Sequence, residues 1–89
     1  MVDYEIKPSL KKIMNKLSRK DKKTYEQILS KIFEIITSKN INHYKNLRKP
    51  LQEFKRVHIR GSFVLTFRYI EKKDKIIFYD FDHYDNIYK

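Results

Sequence analysis

Leu10, Ile13, Met14 and Leu17 recur at i, i+3, i+4 and i+7, a spacing that gathers four apolar side chains on one helix face. A longer run of the same period follows: Tyr25, Ile28, Leu29, Ile32, Phe33 and Ile36. Between them "SRKDKK" breaks the pattern, and Asp21 can cap the second helix by accepting a free backbone N–H of its first turn. Ser9, just after Pro8, is the expected cap of the first helix. The second is expected to end near "TSKN", where Asn40 tolerates a left-handed, helix-terminating backbone. Two amphipathic helices joined so briefly should lie antiparallel as a hairpin.

Elsewhere the period is two. "DYEIK", Asp3 to Lys7, is a short strand stopped by Pro8. Alternation returns in three stretches, about Phe54 to Arg60, Phe63 to Ile70 and Ile76 to Asp82. The chain's one glycine, Gly61, separates the first two, and "EKKDK" separates the last two. "NINHYKNLRKP", residues 40 to 50, has no clean period and reads as a basic connecting loop; "HYDNIYK" reads as a tail with one helical turn. Strands joined by short turns pair antiparallel, and a helical hairpin must bury its stripes on one sheet face. The expected fold is α+β: an N-terminal strand, a two-helix hairpin, then an antiparallel three-strand meander, all one domain over residues 1–89.

Alternation also sorts chemistry onto faces. Val57 and Ile59 point one way; Phe54, Arg56, His58 and Arg60 point the other. In the next strand Phe63, Leu65, Phe67 and Tyr69 share the apolar side, and Val64, Thr66 and Arg68 face away from it. The face turned from the helices should therefore carry Arg56, His58, Arg60 and Arg68 on a stiff platform. Arginine offers a planar fork of donors that matches phosphate oxygens, and histidine moves protons near neutral pH. Such a platform suits an RNA or DNA backbone, and chemistry on it. His83 follows the last strand, which should lie beside Phe63 to Ile70, so His58 and His83, near strand ends in one meander, are expected to converge. An ordinary solvated sheet face has the same pattern.

Charge sharpens this reading. The 89 residues carry 21 Lys and Arg against 11 Asp and Glu, a formal net charge of +10. So basic a domain repels itself unless an anionic partner neutralises it, nucleic acid first among the candidates. Lys45, Arg48 and Lys49 of the loop, with Lys55, Arg60 and Arg68, are the expected RNA contacts. There is no cysteine, which excludes disulfides, cysteine-ligated zinc and thiol nucleophiles. Asp80, Asp82, His83 and Asp85 have metal-ligand chemistry, but two of them alternate with aromatics along one strand, so no metal and no cofactor is expected. No apolar run approaches the roughly 20 residues of a membrane span, and the charged N-terminus does not read as a signal peptide. A cytoplasmic protein with no membrane partner is expected.

Taken together, the element order, "LRKPLQEFKRVHIRGSFVLTFRYI" and "FYDFDHYDNIYK" resemble the RelE/ParE superfamily of toxin–antitoxin toxins, most of all its small archaeal RelE-type members. In that family an L-x-x-x-L loop leads into a basic strand, a glycine turn precedes an aromatic-rich strand, and the end is similar to H-x-x-x-[VI]-Y. The resemblance implies a ribosome-dependent mRNA endonuclease that works without metal. The ribose 2′-OH attacks the adjacent phosphate, and a cognate RelB-like antitoxin silences the enzyme. It also implies a free monomer that forms a hetero-oligomer with the antitoxin. By position it matches Arg56, His58 and Tyr88 to catalytic residues, with His83 or Tyr84 as a further match. Val64 stands where the family pattern has arginine, a departure. ParE-like gyrase inhibitors share the fold, so a gyrase-inhibiting toxin is one alternative and a non-catalytic nucleic-acid-binding module another.

Overall fold

A computed structural model describes residues 2–49 and 51–87. Strand β1 (Asp3–Ile6) leads into helix α1 (Pro8–Lys20) and helix α2 (Lys22–Ile36). Strands β2 (Lys55–Ile59), β3 (Phe63–Ile70) and β4 (Lys75–His83) follow, then a single turn of helix, α3 (Tyr84–Ile87). The sheet order is β1-β4-β3-β2. The meander is antiparallel as expected, and β1 completes the sheet parallel to β4, with Ile6 opposite Phe78. Among the described residues no helix is long and apolar enough to cross a membrane.

The helices form where the period placed them, with different ends. Pro8 occupies the first turn of α1, where its missing N–H costs nothing, and Lys7 is the cap residue. Ser9 is therefore inside the helix, its hydroxyl 3.5 Å from the Tyr79 carbonyl oxygen, and is not the cap. Asp21 caps α2 as expected: its carboxylate accepts from the Thr24 N–H (3.3 Å) and the Thr24 hydroxyl (2.6 Å). Those two bonds, the hydroxyl first, hold the Asp21 carboxyl below its usual range. α2 ends at Thr37, whose hydroxyl donates back to the Phe33 carbonyl. Asn40, with φ −138°, takes no left-handed terminating role.

Leu10 and Met14 of α1 and Ile28, Ile32, Ile35 and Ile36 of α2 pack on Ile59, Leu65, Phe67, Ile76, Phe78 and Phe81 of the sheet. Fully burying one such side chain contributes about 1.5–3 kcal/mol. Leu29 and Phe33, expected in the core stripe, are 41% and 62% exposed, and Ile35 takes the inward place. The sheet touches α2 over a narrower arc than the sequence stripe covers. The 40–50 loop is more than a connector. Ile41 and Leu47 are buried, and residues 45–47 run beside β2 through Leu47 N–H to Phe54 O (2.8 Å) and Arg56 N–H to Lys45 O (2.9 Å).

One irregularity shapes the face turned from the helices. Thr66 pairs with Asp80 but Phe67 pairs with Phe78, leaving Tyr79 as an extra residue in β4. Such a bulge lets two successive side chains share a face. Tyr79 and Asp80 both border one cleft there, while Phe78 and Phe81 on either side are buried in the core.

Candidate nucleic-acid interface

Two rows of side chains cross the open face. Arg56, Thr66 and Asp80 are direct neighbours on β2, β3 and β4; His58, Val64 and Asp82 form the next row. Arg56 and His58, two residues apart on one strand, meet: Arg56 Nη1 lies 3.1 Å from His58 Nε2. A guanidinium has no acceptor, so Arg56 donates and Nε2 accepts. Arg56 Nε is buried with no hydrogen-bond partner in the structure. Arg68, on the same strand face as Thr66, is 3.9 Å from the Glu53 carboxylate.

The tail adds a ring to this site. The Tyr84 N–H donates to the Ser62 carbonyl (2.7 Å), which ties the start of α3 to the β2–β3 turn. That tie lays the Tyr84 ring against His58, centroids 6.0 Å apart and planes within 17°. Asp82 accepts from His83 N–H (2.7 Å) and from Asn86 Nδ2 (3.0 Å), fixing the strand-to-helix turn. Tyr84 is the functional candidate that residue-by-residue reading left ambiguous with His83; its signal was the one-residue uncertainty of the match.

Three expected site residues leave the platform. His83 does not converge with His58. It pairs with Phe63, its ring edge-on to Phe63 at 5.6 Å, and Phe63 stacks on the core residue Phe81, so His83 faces the helix side. Its Nδ1 accepts from the Asp85 N–H (3.2 Å). Arg60 is off the platform: it sits in the turn with φ +53°, followed by Gly61 at +70°. It still borders one groove with His58, together with Gln27 and Lys31 of α2, and adds a lesser attraction to Asp21. Lys55 is only 7% exposed, and its ammonium donates to Tyr44 O (3.2 Å) and Asn46 Oδ1 (3.1 Å). Burial pushes its pKa down, and a cation so enclosed cannot meet a phosphate. Tyr88 lies outside the described residues. Lys45, Arg48 and Lys49 are exposed beside the β2 edge.

Val64, where arginine was absent, is fully buried between His58 and Asp82. Below Arg56 the loop is braced by Tyr44, whose hydroxyl donates to Glu34 (2.6 Å). Burial first, then that bond, raises the Tyr44 pKa well above a free phenol, and the same bond lowers that of Glu34.

A two-layer α+β domain with a helical hairpin on one sheet face, and an arginine–histidine pair on the other, defines a class of small basic proteins. No protein-family model matches the chain. Its relatives are more specific. It is 57% identical over 89 residues to "Putative toxin RelE4" of Methanocaldococcus jannaschii, covering 100% of this chain and 93% of that protein. The chain belongs to the RelE toxin family. The fold agrees: isolated E. coli RelE toxin superposes with TM-score 0.71 at 19% identity, over 93% of this chain and 84% of that one. The toxin of the intact E. coli RelBE toxin–antitoxin complex gives 0.71 at 18% identity, over 93% and 96%.

Proposed function

We propose that this chain is the toxin of a toxin–antitoxin pair and an endoribonuclease that cleaves mRNA on the ribosome. The observation that carries it is the Arg56–His58 pair, 3.1 Å apart on the open sheet face. In this reading an incoming phosphodiester takes the Arg56 donors, which frees His58 Nε2. That nitrogen accepts the ribose 2′-hydroxyl proton as the 2′-oxygen attacks phosphorus. The bond to the 5′-oxygen breaks, leaving a 2′,3′-cyclic phosphate. Arg56 stabilises the charge that grows on the phosphate oxygens, an interaction of the kind that contributes about 2.7–4 kcal/mol.

The leaving 5′-oxygen takes its proton from a tail tyrosine: Tyr88 by resemblance, or Tyr84 by its contact with His58. Lys45, Arg48, Lys49 and Arg68 hold the flanking backbone. His83, turned to the other side, takes no part. The RelBE complex supports a RelB-like antitoxin as the silencing partner of this chain. A cytoplasmic location and a free monomer complete the reading.

The test is cleavage of mRNA on programmed ribosomes by the purified protein, with analysis of the new ends. A 2′,3′-cyclic phosphate and a 5′-hydroxyl are expected. Products bearing a 5′-phosphate, or a block of DNA supercoiling with intact mRNA, would sink the proposal.

A further inference from the structure

The cleft beside Arg56 is not used by the phosphate chemistry. It is a shallow cleft, open to solvent, of about 440 Å³, within the roughly 300–1,000 Å³ of sites that take small ligands. Leu47, Leu51, Phe54 and Ile87 form apolar walls, and the Tyr79 ring meets Phe54 edge-on at 5.0 Å. Polar groups are few: Thr66 on the floor, Ser9 and Asn86 at the rim, and the Asp80 carboxylate. Asp80 reaches this cleft because the β4 bulge turns Tyr79 and Asp80 to the same face.

A carboxylate is out of place in a phosphate site. It repels the backbone and can only accept hydrogen bonds. Asp80 Oδ1 accepts the Phe81 N–H (2.9 Å), which fixes the group and leaves lone pairs on both oxygens. Apolar walls with one oriented acceptor pair suit a flat ring that has adjacent donors on one edge. Unpaired RNA bases are read in this way, between aromatic or apolar walls and along the Watson–Crick edge. Guanine alone presents two neighbouring donors, N1–H and the N2 amino group. Adenine sets an acceptor beside its donor, cytosine does the same, and uracil flanks its single donor with two acceptors.

Position agrees with this chemistry. Arg56, Thr66 and Asp80 are one cross-strand row, with neighbours about 4.5–5.5 Å apart. A phosphate at Arg56 can thus send its own base over Thr66 to Asp80. We infer that the Phe54–Tyr79–Asp80 cleft is a guanine-reading subsite that sets the sequence preference of the open face. The inference rests on the RNA reading of that face.

The experiment uses the full chain and short unpaired oligouridylates that contain one guanosine, inosine or adenosine, with binding followed by fluorescence anisotropy at low salt. The expected order is guanosine over adenosine by about tenfold, the scale of one bidentate base contact, with inosine between because it lacks the N2 amino group. Asp80→Asn keeps an oxygen for the Phe81 N–H and replaces an acceptor with a donor, so its preference should turn to adenosine. Arg56→Ala should weaken all three alike and leave their ratio. Equal affinities, or a ratio that Asp80→Asn leaves unmoved, would overturn the subsite while the RNA reading stands. If Asp80→Asn instead weakens only association with an antitoxin, the cleft belongs to the protein partner and the inference fails. A folded protein that binds none of the RNAs overturns the subsite, while cleavage on programmed ribosomes decides the RNA reading separately.

Discussion

Arg56 and His58 owe their meeting to period two: residues i and i+2 of a strand share a face. Neither has core packing to lose beyond the Arg56 stem, so Arg56→Ala and His58→Ala should each shift unfolding by no more than about 0.5 kcal/mol. Cleavage should fall about 10²–10⁴-fold for His58→Ala, the usual worth of a proton-transfer group. Rates on programmed ribosomes beside urea melts check this; full activity in either variant contradicts the site. Tyr84→Phe and Tyr88→Phe, assayed alike, identify the proton donor as the one whose loss slows cleavage. Val64 behaves differently. It is fully buried, so Val64→Arg does not simply restore a family arginine. Overpacking alone costs about 1–3 kcal/mol, before any charge is desolvated. We expect a lowered Tm with no gain in cleavage, and a faster, equally stable variant would disprove it.

At the scale of elements, the loop between α2 and β2 is held by buried polar bonds. Lys55→Ala leaves the Tyr44 carbonyl and Asn46 amide oxygen short of a donor, a loss of about 1–3 kcal/mol. The folded pKa of Lys55 is depressed, so the unfolded chain holds more protons than the native one between the depressed value and the ordinary lysine value. Lys55 therefore makes stability rise with pH across that alkaline window. Tyr44 opposes it: its raised pKa contributes stability at neutral pH that is lost once pH climbs above the ordinary phenol range. Glu34, depressed by the same bond, contributes stability lost on the acid side, as pH falls through the carboxylate range. Tyr44→Phe should flatten both the acid and the alkaline decline that this pair causes, as measured by thermal melts from pH 3 to 11 on the order of one pH step at a time. Melts with unchanged slopes would contradict the coupling.

For the whole molecule, charge dominates. With a net charge of +10 and only a few ion pairs among the described residues, the domain repels itself, and an anionic partner would relieve that repulsion. RNA binding should weaken steeply with salt, because each phosphate neutralised releases counterions. Affinity measured from about 50 to 200 mM salt should fall by about 10³–10⁵ if six to ten phosphates are met. A flat response would remove the nucleic-acid reading.

Much of this architecture was legible in the sequence, since periods of 3.6 and 2 are imposed by backbone geometry wherever one face is buried. They located both helices, all four strands and the Arg56–His58 face. Alternation also put Lys55 beside Val57 and His83 beside Phe81, on the core side, against the places expected for Lys55 from its charge and for His83 from the family match and its approach to His58. Arg60 left the platform because a turn, with its left-handed backbone, overrode the strand. Leu29 and Phe33 show that a stripe says what can be buried, while the partner's width says what is. The bulge at Tyr79, the stacking of Tyr84 on His58 and the burial of Val64 had no sequence signal. Each depends on which residues of distant segments come to lie opposite one another, and pairing register is decided only when the sheet, the tail and the core pack together.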